Sequence, residues 1–305
     1  MTLPIVHHPA YVAPMPEGHR FPMGKFGQVM SLLLEDGVAM PGRIHTPEPA
    51  PRAWLELAHD ATYVDAILGQ TLDVAAARRI GLPITPEVAV RSRAATGGTV
   101  LTARLALEHG IACNTAGGSH HAFATHGSGF CVFNDVAVAI RVLLAESTLD
   151  RALVVDLDVH QGDGTAAIFE DDPRVFTFSM HCRTNFPLRK QTSDLDLALD
   201  AGIEDEAYLR LLDDHLPGLI EDLRPDLVVF NAGVDPHAED RLGRLALTYE
   251  GLWTREAFVF STCLRHGVPV AGVLGGGYAP DLEALARLHS IQHRVASEIL
   301  GRRRP

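Results

Sequence analysis

Short apolar, β-branched runs alternate with longer stretches whose apolar positions recur every three to four residues. The runs at 111–113, 152–157, 175–179, 227–231 and 268–274 read as strands. The periodic stretches at 98–109, 135–146, 206–222, 254–265 and 282–300 read as amphipathic helices. Runs such as ALVV and LVVF are apolar at every position rather than at alternate ones, which is the pattern of strands covered on both faces. Strand–helix alternation of this kind predicts an α/β fold, a three-layer α/β/α sandwich around a mostly parallel sheet. The part up to about residue 85 is Pro-rich and less periodic, and reads as loops and helices packed on the sheet edge. With no repeat, low-complexity tract or linker, residues 1–305 are expected to form a single domain.

A parallel sheet binds its ligand at the carboxyl ends of its strands. Four of the expected strands run into unusual polar stretches there: NTAGGSHHA after 111–113, DVHQGDG after 152–157, AGVDPHAED after 227–231 and GGGY after 268–274. Their convergence on one rim would place the functional site.

Composition narrows the choice of partner. The formal charge is −12, so phosphate-rich nucleic acid would be repelled at long range, whereas a cationic substrate would be attracted. The terminal GRRRP is too short a basic tail to change this. No apolar run approaches a membrane span, and the first residues lack the basic-then-apolar pattern of a secretory signal. Cys113, Cys131, Cys182 and Cys263 are scattered without a CxxC pair, which suits a reducing cytoplasm. Nothing in the sequence sets the oligomeric state.

The stretch VVDLDVHQGDG gathers Asp156, Asp158, His160 and Asp163 directly after a buried run. Burying such a cluster is costly unless positive charge offsets it, and a bound cation would do so. In extended chain Asp156, Asp158 and His160 share a face, and Asp235 could join Asp158 and His160 from the neighbouring strand end. Three protein ligands with an open position describe a catalytic zinc site. The plainer alternative is that the aspartates cap turns and His160 is a packed polar residue. In the metal reading, Asp158 is taken up by the ion and Asp156 and Asp163 are left to pair with the adjacent His120 and His121, fixing the tautomer of each ring. Tyr278, after three glycines, could donate to a developing oxyanion, or simply pack on the surface. Phe130 and Phe186 are loop aromatics that could wall a narrow apolar slot, while Cys131 and Phe133 read as core.

In this order and spacing, GGSHHAF, GFCVFND, VVDLDVHQGDGT, NAGVD and GGGY resemble the zinc-dependent histone deacetylase family, from GKFG near Lys25 to the last helix. EDRLG and DVHQGDG look most like its class IV branch and bacterial relatives. The resemblance implies an arginase/deacetylase-like fold, with Asp158, His160 and Asp235 as zinc ligands. It implies His120 bonded to Asp156, His121 as general base and acid supported by Asp163, and Tyr278 polarising the substrate carbonyl. Gly129 would receive the substrate amide on its backbone carbonyl, and Phe130 and Phe186 would wall the lysine tunnel. A structural potassium ion would bind backbone carbonyls around Asp156, Asp158, His160 and Ser179.

Two positions depart from relatives with narrower substrates. Leu242 stands where an acidic residue is expected in polyamine deacetylases, favouring acyl-lysine in a protein or peptide. His237 matches no family hallmark, and the sequence does not identify the acidic rim residue that grips the substrate backbone in some relatives. A small-molecule deacetylase, a long-chain fatty-acyl-lysine deacylase, a binuclear manganese hydrolase of the arginase type and a silent acyl-lysine binder stand as alternatives. The manganese enzyme would want carboxylates where this chain has Gly162 and His237.

Overall fold

A computed structural model describes residues 2–302; the last part of the basic tail, 303–305, lies outside them. The strands are β1 (Ile5–Val6), β2 (Ile44–His45), β3 (Ile111–Asn114), β4 (Ala152–Asp156), β5 (Val175–Cys182), β6 (Leu195–Leu199), β7 (Leu227–Asn231) and β8 (Val270–Val273). The helices are α1 (Lys25–Glu35), α2 (Arg52–Leu55), α3 (Ala61–Leu68), α4 (Val74–Ile80), α5 (Pro86–His109), α6 (Asp135–Ala145), α7 (Asp163–Phe169), α8 (Asp205–Leu223), α9 (Tyr249–Arg265) and α10 (Leu282–Arg302).

The strands form one eight-stranded sheet in the order β2-β1-β3-β8-β7-β4-β5-β6. Every pairing is parallel, so the expected mostly parallel sheet is wholly parallel. Helices α5, α6 and α7 pack as one set and α1, α10, α9 and α8 as another. Central strands β3, β4, β7 and β8 are buried along their whole length, as uninterrupted apolar runs require.

Five elements differ from expectation. Helix α5 begins at Pro86, not at 98, behind the N-cap of Thr85. Its first half carries no amphipathic stripe because polar and apolar positions are inverted: Arg91, Ser92, Thr96 and Thr99 are buried while Val90 is exposed. The hydroxyls of Ser92 and Thr96 return hydrogen bonds to carbonyls four residues earlier, which makes a polar sequence acceptable inside. Helix α9 starts at Tyr249 rather than 254, capped by Thr248, whose side chain accepts from Gly251 N. The N-terminal part supplies strands as well as loops and helices, but β1 and β2 are two residues each, too short for any periodicity. Edge strand β6, DLDLALD in sequence context, is likewise obscured by its aspartates.

The order β3-β8-β7-β4 brings the four polar strand ends together, because β7 and β8 return to fill the gap between β3 and β4. Asp156 lies in register with Asn231 on one side and Ser179 on the other. Behind them Arg255 of α9, fully buried and paired with Glu256, donates to the carbonyl of Leu157. That carbonyl is thereby held where β4 gives way to the site.

Candidate metal and active site

Asp158, His160 and Asp235 offer donor atoms within 4.8 Å of one another, and all three residues are buried. His160 Nδ1 lies 3.0 Å from Asp158 Oδ1 and 3.1 Å from Asp235 Oδ2. The outward oxygens are already occupied: Gly276 N donates to Asp158 Oδ2 at 2.6 Å, and Val159 N to Asp235 Oδ1 at 2.9 Å. Backbone amides therefore fix both carboxylates, leaving Asp158 Oδ1, Asp235 Oδ2 and His160 Nδ1 facing a common point. Gly276 has no room for a side chain, since a Cβ there would sit 2.1 Å from Asp235 Oδ2.

The electrostatics of this cluster call for positive charge. Burial, then the Asp158 carboxylate, pushes Asp235 up to about 7. Burial works against protonation of His160, but its hydrogen bonds to Asp158 and Asp235 outweigh it and lift the imidazole to about 10. Despite its burial, the Asp158 carboxylate by contrast is held ionised by His120 and His160, so without a metal ion the positive charge must come from protons kept on the neighbouring groups. Two carboxylates and one imidazole are oxygen and nitrogen donors that suit a divalent transition metal, so the residues fit such an ion.

Two further histidines flank the cluster, their rings 4.1 Å apart. His120 Nδ1 donates to Asp156 Oδ2 at 2.7 Å, and His121 Nδ1 to Asp163 Oδ1 at 2.6 Å. Despite equivalent partners they differ in proton affinity. Burial opposes the charging of His120, but the Asp156 and Asp158 carboxylates overcome it and raise the ring to about 9. For His121, burial and the neighbouring His120 outweigh Asp163 and lower it to about 4. In the absence of a metal ion, the two neighbouring imidazoles are thus pushed in opposite directions. With Nδ1 engaged, His121 has Nε2 as its available nitrogen, and the residue lines an open cavity of about 430 Å³.

His160, Tyr278, Gly129, Phe130, Phe186 and Leu242 line the same cavity. The Phe186 ring stands edge-on to His121 at 4.8 Å, and Phe130 lies 5.8 Å from Tyr278. Gly129 has a left-handed backbone, and a Cβ there would meet His121 Cδ2 at 2.6 Å, so only glycine fits against the imidazole. Burial, followed by the charges of Asp235 and Asp158, keeps the Tyr278 phenol well above its ordinary range and so protonated. All the residues singled out in the sequence meet here, with Asp156 and Asp163 behind the two histidines. His237, half-buried, turns its Nδ1 to its own loop, accepting from Glu239 N at 3.3 Å.

Sequence reasoning missed the residues that hold this arrangement from behind. Asp240 accepts from the backbone amides of Tyr278, Leu242 and Gly243 at 2.6, 2.8 and 3.0 Å, so one carboxylate ties two walls together. Lys25, almost wholly buried, donates to the carbonyls of Gly275 and Gly277, with its ammonium over the Tyr278 ring. Asn231 Nδ2 donates to Asp156 Oδ1 at 3.0 Å. Phe21 adds a third ring, 5.4 Å from Phe130. The advance signal was that Lys25, Asn231 and Asp240 sit in GKFG, NAGVD and EDRLG, which carried the resemblance but gave these three no assigned role.

A family model for the histone deacetylase domain matches residues 19–293. The chain is 56% identical over 299 residues to an uncharacterized protein of Picosynechococcus sp., covering 98% of this chain and 100% of that one. It is 30% identical over 293 residues to Histone deacetylase 2 of Arabidopsis thaliana, covering 90% of this chain and 76% of the relative. Among solved structures, an HDAC homolog from Aquifex aeolicus superposes with a TM-score of 0.84 at 25% identity, over 100% of this chain and 86% of that chain. The match of the domain model over most of the chain, together with the fold, shows that this protein belongs to the histone deacetylase family of hydrolases.

Proposed function

We propose that the chain, acting as one domain over residues 1–305, is a zinc-dependent amidohydrolase that removes an acetyl or other acyl group from acyl-lysine in proteins or peptides. The observation that carries this reading is the meeting of three metal-donor residues, two His–Asp pairs and a protonated tyrosine, with His121, His160 and Tyr278 opening onto one cavity. Asp158, His160 and Asp235 would hold the ion. When bound, zinc would supply Lewis acidity toward the amide oxygen and the attacking water.

The protein's own groups divide the remaining work. Neutral His121, through Nε2, takes the proton of the attacking water and later gives a proton to the leaving amine; Asp163 holds the ring for both transfers. His120, held by Asp156 through Nδ1, stands beside His121 with its Nε2 toward Asp158. The Tyr278 hydroxyl donates to the oxygen of the tetrahedral intermediate. Phe130 and Phe186 flank the alkyl stem and exclude water, and the Gly129 carbonyl accepts from the substrate amide N–H. Free amine and a carboxylic acid leave as products.

A second, binuclear manganese centre finds no support. A Cβ at Gly162 would lie 2.4 Å from Asp156 Oδ2, leaving no space for another ligand there. We further propose a structural potassium ion on carbonyls around Asp156, Asp158, His160 and Ser179, supported by the in-register pairing of Asp156 with Ser179. Among the described residues no helix is long and apolar enough to cross a membrane. Four free, buried thiols support a location in the reducing cytoplasm. The test is release of acetate from an acetyl-lysine peptide by the zinc-loaded protein and by Tyr278→Phe. Turnover that depends on the phenol is expected, and equal turnover by the variant would reject its role.

A further inference from the structure

The mouth of the cavity carries charge opposite in sign to the chain as a whole. The chain has 38 Asp and Glu against 26 Lys and Arg, yet the cavity is lined by Arg20, Arg78, Arg79 and Arg244 and by no carboxylate. All four are exposed, and among the described residues none has an ion-pair partner. Several exposed arginines elsewhere are matched, Arg104 with Glu146, Arg210 with Glu206 and Arg287 with Glu283. Others, such as Arg189, Arg224 and Arg265, are as free of ion pairs among the described residues, but the cavity mouth gathers four together with no carboxylate among its lining. The nearest acidic residue on α4, Asp73, caps the far end of that helix by accepting from Ala76 N, and Asp240 faces inward to the Tyr278 amide.

The four come from three separate segments, each pinned by its backbone to the walls. Arg78 and Arg79 form the last turn of α4, and the next carbonyl, that of Ile80, accepts from Phe130 N at 2.7 Å. Gly81 then ends the helix in a left-handed conformation and accepts from His19 Nε2 at 3.0 Å. Arg20 lies between that His19 and Phe21, whose ring rests on Phe130. Arg244 is held from the opposite side, its carbonyl accepting from Gly202 N at 2.7 Å.

We infer that the amine-bearing half of the substrate carries fixed negative charge, as carboxylate or phosphate, just beyond the scissile amide. This rests on the amidohydrolase reading, which sets the acyl group at the buried floor and sends the amine half outward past Phe130 and Phe186. Guanidinium is the side chain best shaped to grip carboxylate and phosphate, and unpaired guanidiniums at a cavity mouth have no structural task to explain them. The overall charge of −12 does not oppose this, because at physiological ionic strength a charge is felt over only about 8 Å. The attraction for a cationic substrate expected from net charge is thus reversed at the entrance.

The test uses the zinc-loaded protein and acetyl-lysine peptides of matched length flanked by Asp, Gln or Lys. Nε-acetyl-lysine with a free or an amidated α-carboxylate serves as a small-molecule arm. Turnover is measured alongside binding, by fluorescence anisotropy of the labelled peptides and by thermal shift for the small arm. The Asp-flanked peptide should exceed the Lys-flanked one about tenfold in kcat/KM at low salt, through KM, with the gap closing as salt rises. Arg78→Gln/Arg79→Gln and Arg244→Gln should each shrink the preference, while Arg210→Gln, the same charge change on α8, should not. A preference confined to the free α-carboxylate would support the inference and assign the charge to a small anionic acylamine rather than an acidic peptide. Equal or better use of the Lys-flanked peptide, or a preference untouched in the rim variants, overturns the inference while hydrolysis upholds the amidohydrolase reading. Charge-selective binding without hydrolysis of any substrate does the reverse.

Discussion

At the floor of the cavity each charged group is buried and answered by another: Asp156 by His120, Asp163 by His121, and Asp158 and Asp235 by His160 and backbone amides. At the mouth, a short distance along the same walls, four arginines stand exposed with no ion-pair partner among the described residues. The floor is costly to assemble, since each buried charge incurs several kcal/mol of desolvation unless it is paired, and its geometry is correspondingly rigid. The mouth costs little, and its charges are free to meet something brought from outside. The difference separates chemistry from selection. Floor residues should govern the rate for every substrate, and mouth residues should govern which substrate arrives.

That division can be broken at either end. The largest effect belongs to Asp235→Ala, which removes one metal donor and should reduce hydrolysis of any acyl-lysine substrate to background. His121→Ala should follow, losing roughly 10²–10⁴-fold in kcat with zinc content intact, as expected for a missing general base. Tyr278→Phe should cost roughly 10²–10³-fold in kcat with little change in KM, again with zinc retained. Steady-state kinetics beside metal analysis separates these three, and an effect that depended on substrate charge would blur floor and mouth. Asp240→Asn sharpens the comparison, because Asp240 touches neither substrate nor metal donor. Weakening its hold on the Tyr278 amide should lower kcat by about tenfold, the scale of one charge-assisted hydrogen bond, on acidic and basic substrates alike. The smallest effects are those of the mouth: each single Arg→Gln change should alter the acidic-to-basic ratio of kcat/KM only a few-fold, the scale of an exposed ion pair.

The floor was readable in the sequence and the mouth was not, for the same physical reason. Strands β4 and β7 announce themselves as uninterrupted apolar runs, and the residues that follow them, DVHQGDG and AGVD, are too polar for such a place without a purpose. Chemistry at strand ends is therefore encoded in short contiguous stretches. The mouth draws Arg20, Arg78, Arg79 and Arg244 from positions far apart, and no local pattern marks an arginine as facing a cavity. Lys25 and Asp240 were missed similarly, for each acts on the GGGY segment across the fold. The first half of α5 was lost because it buries polar side chains such as Arg91, Ser92 and Thr96 and exposes Val90, so no apolar stripe gives it a period. Strands of two residues, β1 and β2, are defined by their neighbours alone.

The central claim is that Asp158, His160 and Asp235 hold one zinc ion on which hydrolysis depends. Metal analysis of the purified chain, coupled to acetate release before chelation, after it and after zinc is restored, tests this most directly. One equivalent of zinc per chain, loss of activity with its removal and recovery on its return are predicted. Full turnover by the metal-free protein, or an Asp235→Ala variant that keeps a whole equivalent of zinc, would contradict it.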